Sequence, residues 1–148
     1  MLRIGFAVLT VGLDAPPSDD GRDYVLIARN VLAGRGFSLV DGAATSFRPP
    51  GYVGLLAGVF LVFGDRAAAA RAVQAVLGAA GCVLLWFAAA HFTAARGHGD
   101  DRSGGDAVAA WVAFGVAMLY PSFLYLGARI LSESLYIPLL CAFIAAVA

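Results

Sequence analysis

"AVQAVLGAAGCVLLWFAAAHFTAA", residues 72–95, runs for 24 positions without a charged side chain when His91 is counted as neutral. About 20 apolar residues are enough for a helix to cross the hydrocarbon core of a bilayer, so this run decides the class of the protein: it reads as a membrane helix. A second uncharged run, residues 107–128, has 22 positions and reads the same way. A third membrane helix is expected over 131–148, where the sequence is uncharged from Ser134 onward and still apolar at Ala148. That pattern reads as a chain cut off inside a membrane helix.

Working outward, "MLRIGFAVLTVGL" (1–13) is short for a span and reads as a partial membrane helix. A secretory signal peptide with Arg3 as its charged start has a similar pattern, but no small-x-small cleavage site precedes the acidic residues that follow, and the anchor is the better reading. "GYVGLLAGVFLVFG" (51–64) is too short to cross easily; with Pro49-Pro50 before it and Asp65 after it, it fits a short membrane-associated helix. Between these two pieces lies a polar loop, 14–50. The expected fold is therefore all-α, a polytopic bundle of membrane helices in one unit over 1–148.

The composition excludes several functions. Ten basic and ten acidic residues give a net charge of +0, which offers no electrostatic footprint for nucleic acid. All ten basic residues are arginine, the forked and permanently charged cation. Cys82 and Cys141 lie in separate apolar runs without metal-ligand spacing and read as buried thiols. His91 reads as an interfacial residue and His98 as a loop residue. No glycine-rich phosphate loop points to a nucleotide sugar.

In a chain that is 61% hydrophobic, four of the ten acidic residues fall between Asp14 and Asp23. Ser18 as N-cap and Gly34 as C-terminal stop bound an expected helix there. Tyr24, Ile27, Ala28, Val31 and Leu32 form its apolar stripe, with Arg22, Asp23, Arg29 and Asn30 on the other side, as in an amphipathic helix at a membrane surface. Asp19 and Asp20 occupy its first turn, where the helix dipole favours ionised carboxylates. Such residues are common helix starts and need no catalytic role. The loop ends in "SFRPPGY", where Pro-Pro extends the backbone at Arg48. An arginine held there is a grip for a lipid-linked phosphate or, equally, a snorkelling anchor. Arg129 and Glu133, four apart, are expected to pair on one helix, as part of a site wall or as a structural ion pair.

Four blocks in order, "SDDGRDYVLIARNVLAGRGFS" (18–38), "SFRPPGYVGLLAGVFLVFG" (46–64), "ARAVQAVLGAAG" (70–81) and "YPSFLYLGARILSESLY" (120–136), resemble the N-terminal part of bacterial members of the dolichyl-phosphate-mannose protein mannosyltransferase superfamily. These are membrane glycosyltransferases of the GT-C fold, related to the lipid A aminoarabinose transferases. The resemblance implies a truncated GT-C bundle with the amphipathic helix in its first extracytoplasmic loop, a multi-pass protein of the bacterial inner membrane with its site facing outside. It implies transfer of a sugar from a polyprenyl-phosphate donor to a glycan, lipid or protein acceptor, with inversion. No further cofactor is implied, and a divalent metal is admitted.

By the same resemblance a carboxylate four positions before a tyrosine is the base, which selects Asp20 before Tyr24, with Asp19 as the alternative and Asp23 about a quarter turn from Tyr24. Arg48 takes the place of the cation that holds the departing phosphate, and Arg129 and Glu133 fall in the last block. The charge balance does not follow the positive-inside rule: the loop 14–50 carries four arginines, whereas 93–106, cytoplasmic by the resemblance, carries two against three aspartates. The rival reading is a non-catalytic membrane protein, a transporter fragment or an assembly partner, for which neither Asp20 nor Arg48 matters.

Overall fold

A computed structural model describes residues 2–17, 20–40, 43–96 and 103–147. Every extended element among them is an α-helix: α1 (Leu2–Thr10), α2 (Asp20–Leu32), α3 (Pro50–Phe63), α4 (Ala67–Arg96), α5 (Ser103–Leu119), α6 (Pro121–Ala128) and α7 (Glu133–Val147). The only strand-like pairing among the described residues is an antiparallel bridge between Ser38 and Ala44. The expected cap Ser18, the alternative base Asp19 and His98 lie outside the described residues.

The run that opened the sequence reading lies within α4. One stretch of that helix, Ala67–Phe92, is long and apolar enough to cross a membrane, with 26 residues and a mean hydropathy of 1.9. α3, α7 and the Ala107–Leu119 part of α5 are shorter apolar helices. α4 packs chiefly against α7 and α5. Gly81 makes the approach to α7 possible: a Cβ there would lie 3.3 Å from the Cα of Pro138, a proline inside α7. Cys82 and Cys141 are both buried free thiols on these two helices.

The run 107–128, expected as one helix, is divided. α5 ends at Leu119, Tyr120 is extended (φ −59°, ψ 117°), and Pro121 starts α6. The cause is local: a proline disfavours helical backbone at the residue before it, and its own missing N–H suits a first helical turn. A second break follows at Arg129 (φ −98°, ψ 151°), so residues 129–132 connect α6 to α7 as irregular backbone.

α2 and α3 form the polar-capped part of the molecule. Tyr24, Ile27 and Ala28 of the expected stripe are buried against Tyr52, Val53, Leu56 and Phe60 of α3, with the Tyr24 and Tyr52 rings edge to face at 4.8 Å. Val31 and Leu32 are exposed instead, because the packed face ends before them. Asn30, expected on the polar side, is buried. Its amide donates to the Ser38 carbonyl at 2.7 Å and accepts from Arg35 Nε at 3.0 Å, which ties down the turn after α2 where Gly34 and Gly36 take positive φ. Asp20 pairs with Arg48 before α3, and Arg29 pairs with Asp65 after it, so the two helices run in the same sense.

Overpacking should separate two glycines. Gly81→Leu drives a side chain into Pro138 and should cost about 1–3 kcal/mol, whereas Gly58, with open space around its Cβ position, should tolerate alanine with no loss or a gain of up to about 1 kcal/mol. Unfolding in detergent checks both; equal behaviour of the two variants would contradict the packing described.

Candidate functional site

Arg48 lies between two carboxylates. Its Nη2 donates to Asp20 Oδ1 at 2.6 Å and to Asp23 Oδ2 at 2.7 Å, while its guanidinium carbon sits 5.2 Å from the Tyr24 ring centroid and 4.5 Å from that of Phe47. The sequence explains the geometry. Pro49 (φ −64°, ψ 131°) keeps the backbone extended into α3, and Asp20 and Asp23, three apart on α2, present both carboxylates on one side of their helix. The side chain of Arg48 is only 14% exposed. The hydrogen bonds it donates to Asp20 and then Asp23 push its pKa further above the ordinary arginine value, so its charge is fixed.

Two features of the cluster go beyond the sequence expectations. Asp23, set aside because it turns away from Tyr24, stands with Asp20 on the same guanidinium. Arg48, expected to face the phosphate of a carrier, faces two carboxylates of its own chain.

Asp20 also lines a cavity of about 200 Å³ whose other ionisable residues are Arg71 and Arg129, with Pro16, Pro17, Ile130 and Leu131 in its walls. The cavity sits where the end of α1, the start of α2, the first turns of α4 and the α6–α7 connection meet. Arg71 is 2% exposed. Its Nε donates to the Ala128 carbonyl at 3.2 Å and its Nη1 to the Leu13 carbonyl. A guanidinium has five N–H donors, so three remain uncommitted among the described residues. Asp14 adds a favourable field, but no carboxylate among the described residues forms an ion pair with Arg71. A buried cation with only neutral partners in an apolar helix is costly unless something anionic joins it. The sequence reading passed over Arg71; the available signal was a lone arginine just inside an apolar run, where a cation is costly unless it finds partners.

Arg129 and Glu133 do not share a helix. The break after α6 leaves Arg129 in extended backbone, and Glu133 opens α7. Arg129 stacks its guanidinium 4.8 Å from the Tyr125 ring centroid and joins the Asp20 cavity. Glu133 accepts from Ser132 Oγ at 3.2 Å and lines a different groove of about 390 Å³ with Tyr52 and Tyr136. The structure thus brings Asp20, Tyr24 and Arg48 together in one cluster and Asp20 with Arg129 in the adjoining cavity. Among the described residues no three His, Cys, Asp or Glu side chains converge, and the two carboxylates that do approach share a guanidinium. The described residues do not fit a resident divalent metal.

Compared with known protein families, with curated proteins and with solved structures, the chain matches none.

If the cluster has the role its geometry gives it, Arg48→Ala leaves Asp20 and Asp23 facing each other unpaired. Because both carboxylates are partly in solvent, the loss should be on the order of 1 kcal/mol, felt locally as faster amide exchange in the first turn of α2. Exchange data for Arg48→Ala matching those of wild type would contradict it.

Proposed function

We propose that the chain is the donor-side part of a polytopic GT-C membrane glycosyltransferase, in the bacterial inner membrane, that moves a sugar from a polyprenyl phosphate to an acceptor hydroxyl outside the cytoplasm. The observation that carries this reading is a carboxylate, Asp20, on the wall of a cavity whose other charged groups, Arg71 and Arg129, are cations. The ordered resemblance of the four sequence blocks supports it independently.

The chemistry follows from that arrangement. The phosphate of a lipid-linked sugar sits toward Arg71 and Arg129, which favour the negative charge that grows as the bond between the anomeric carbon and the phosphate oxygen breaks. The bonding pair stays with the phosphate oxygen. An acceptor hydroxyl forms the new bond at the opposite side of the anomeric carbon, inverting it, and its proton passes to Asp20. Arg48 orients Asp20 by donating to its Oδ1.

A membrane setting is supported by exposure. Only 28% of the most apolar window of α4 is buried inside the chain, unlike the core helix of a soluble protein, and Trp111, Val112 and Val116 of α5 and Leu139 and Phe143 of α7 are also exposed. A second reading has its own observation: the Arg48 cluster alone accounts for Asp20 and Asp23 as a structural clamp. The chain is then a non-catalytic membrane protein.

Transfer of labelled sugar from a polyprenyl phosphate in membranes carrying the chain separates the two. Asp20→Asn should lower turnover by roughly 10²- to 10⁴-fold, the usual contribution of a general base. Asp23→Asn should lower it far less. Turnover unaffected by Asp20→Asn, or absent from wild type, favours the clamp.

Orientation has its own test. Ser46, exposed in the loop before Arg48, should react as Ser46→Cys with an impermeant thiol reagent in intact cells, and Gly105→Cys should not. The native thiols are buried and leave the signal clean. Labelling of Gly105→Cys alone would reverse the proposed topology.

A further inference from the structure

Gln74 lies behind the cavity and outside its lining. It is 1% exposed, on α4 one turn after Arg71. Its Nε2 lies 3.0 Å from the Arg129 carbonyl and 2.9 Å from Tyr52 Oη, and it also donates toward Ser134 Oγ, which in turn donates to the Leu131 carbonyl. Its Oε1 is buried without a partner.

The pattern has a physical reason. Residues 129–132 are irregular backbone, and three of them, Arg129, Ile130 and Leu131, form one wall of the cavity. Carbonyls freed from a helix and kept from water must find donors in side chains. Ala128 finds Arg71 and Arg129 finds Gln74, while Leu131 accepts from the backbone amide of Ser134 and also from its hydroxyl, which is itself held by Gln74. The wall is also tight from the front: a Cβ on Gly21 would come within 3.0 Å of the Ile130 carbonyl oxygen.

We propose that Gln74 is a positioning residue for this cavity: by holding the Arg129 carbonyl and, through Ser134, that of Leu131, it sets where the Arg129 guanidinium stands, without touching the ligand. The proposal rests on the reading of the cavity as a phosphate site. An alternative task for Gln74, general support of helix packing, predicts a different pattern of coupling, which makes the two separable.

The test is a double-mutant cycle on the full chain in nanodiscs of zwitterionic phosphatidylcholine, with undecaprenyl phosphate as the probe. Gln74→Met keeps the length of the side chain, removes its N–H donors and removes the unpartnered Oε1. Binding should weaken on the order of tenfold in Gln74→Met, as expected when a charged group is misplaced by a fraction of an ångström to an ångström. Arg129→Gln should weaken it by a similar factor or more, and adding Gln74→Met to Arg129→Gln should bring no further loss. Losses that multiply, or wild-type binding in Gln74→Met, overturn the proposal. Amide exchange tests the same wall without any ligand. Ser134, Leu135 and Tyr136 donate to the Leu131 and Ser132 carbonyls, and their exchange should accelerate on the order of tenfold in Gln74→Met. Unchanged exchange overturns the proposal even if the chain binds no phosphate; accelerated exchange in a chain that does not distinguish undecaprenyl phosphate from undecaprenol upholds the wall and overturns the phosphate reading instead.

Discussion

The buried guanidinium of Arg71 is the constraint on which the rest of the arrangement depends. It takes the carbonyl left over at the end of α6 and the one at Leu13 after α1, and so fixes two chain segments against the first turns of α4. Removing it leaves the buried Ala128 carbonyl without a donor, at a cost on the order of 1–3 kcal/mol, and frees the half-buried Leu13 carbonyl as well. Keeping it costs the desolvation of a cation. On the proposed reading a bound anion reconciles those terms, because it adds countercharge to the field of Asp14.

Asp20 lies at the boundary of two environments. On one side Arg48 holds it together with Asp23, under the faces of Tyr24 and Phe47; on the other it borders the Arg71–Arg129 cavity. The two arginine groups therefore have different tasks. Arg48 is balanced by two carboxylates of the chain, although its buried Nε has no partner, while Arg71 bonds only backbone carbonyls among the described residues. Charge of the same kind is placed in a closed circuit in one case and an open one in the other.

Much of the helical architecture was legible in the sequence because long uncharged runs have one economical solution in an apolar surrounding, a helix that bonds its own backbone. The break at Tyr120-Pro121 was legible in principle, since the rule that extends a residue before proline acts locally, but hydropathy alone ignored it. The site was legible only in part. Asp20 and Arg48 were singled out by the resemblance and their place in the chain, yet their pairing joins residues 28 apart and depends on how α2 lies on α3. Arg129 and Glu133 were assigned to one helix because spacing is meaningful only where the helix is continuous. Arg71, Gln74 and Asn30 were missed because each acts on backbone carbonyls brought to it by the fold, and a carbonyl leaves no mark in a sequence.

The central claim is that Arg71, and not Arg48, meets the phosphate. Its most direct measurement compares retention of undecaprenyl phosphate and of uncharged undecaprenol by the wild-type chain, by Arg71→Gln and by Arg48→Gln, using native mass spectrometry of protein released from detergent. The account predicts that wild type and Arg48→Gln retain the phosphate in preference to the alcohol and that Arg71→Gln loses the preference. Equal retention of the two lipids by wild type, or a preference lost with Arg48 and kept without Arg71, would contradict it.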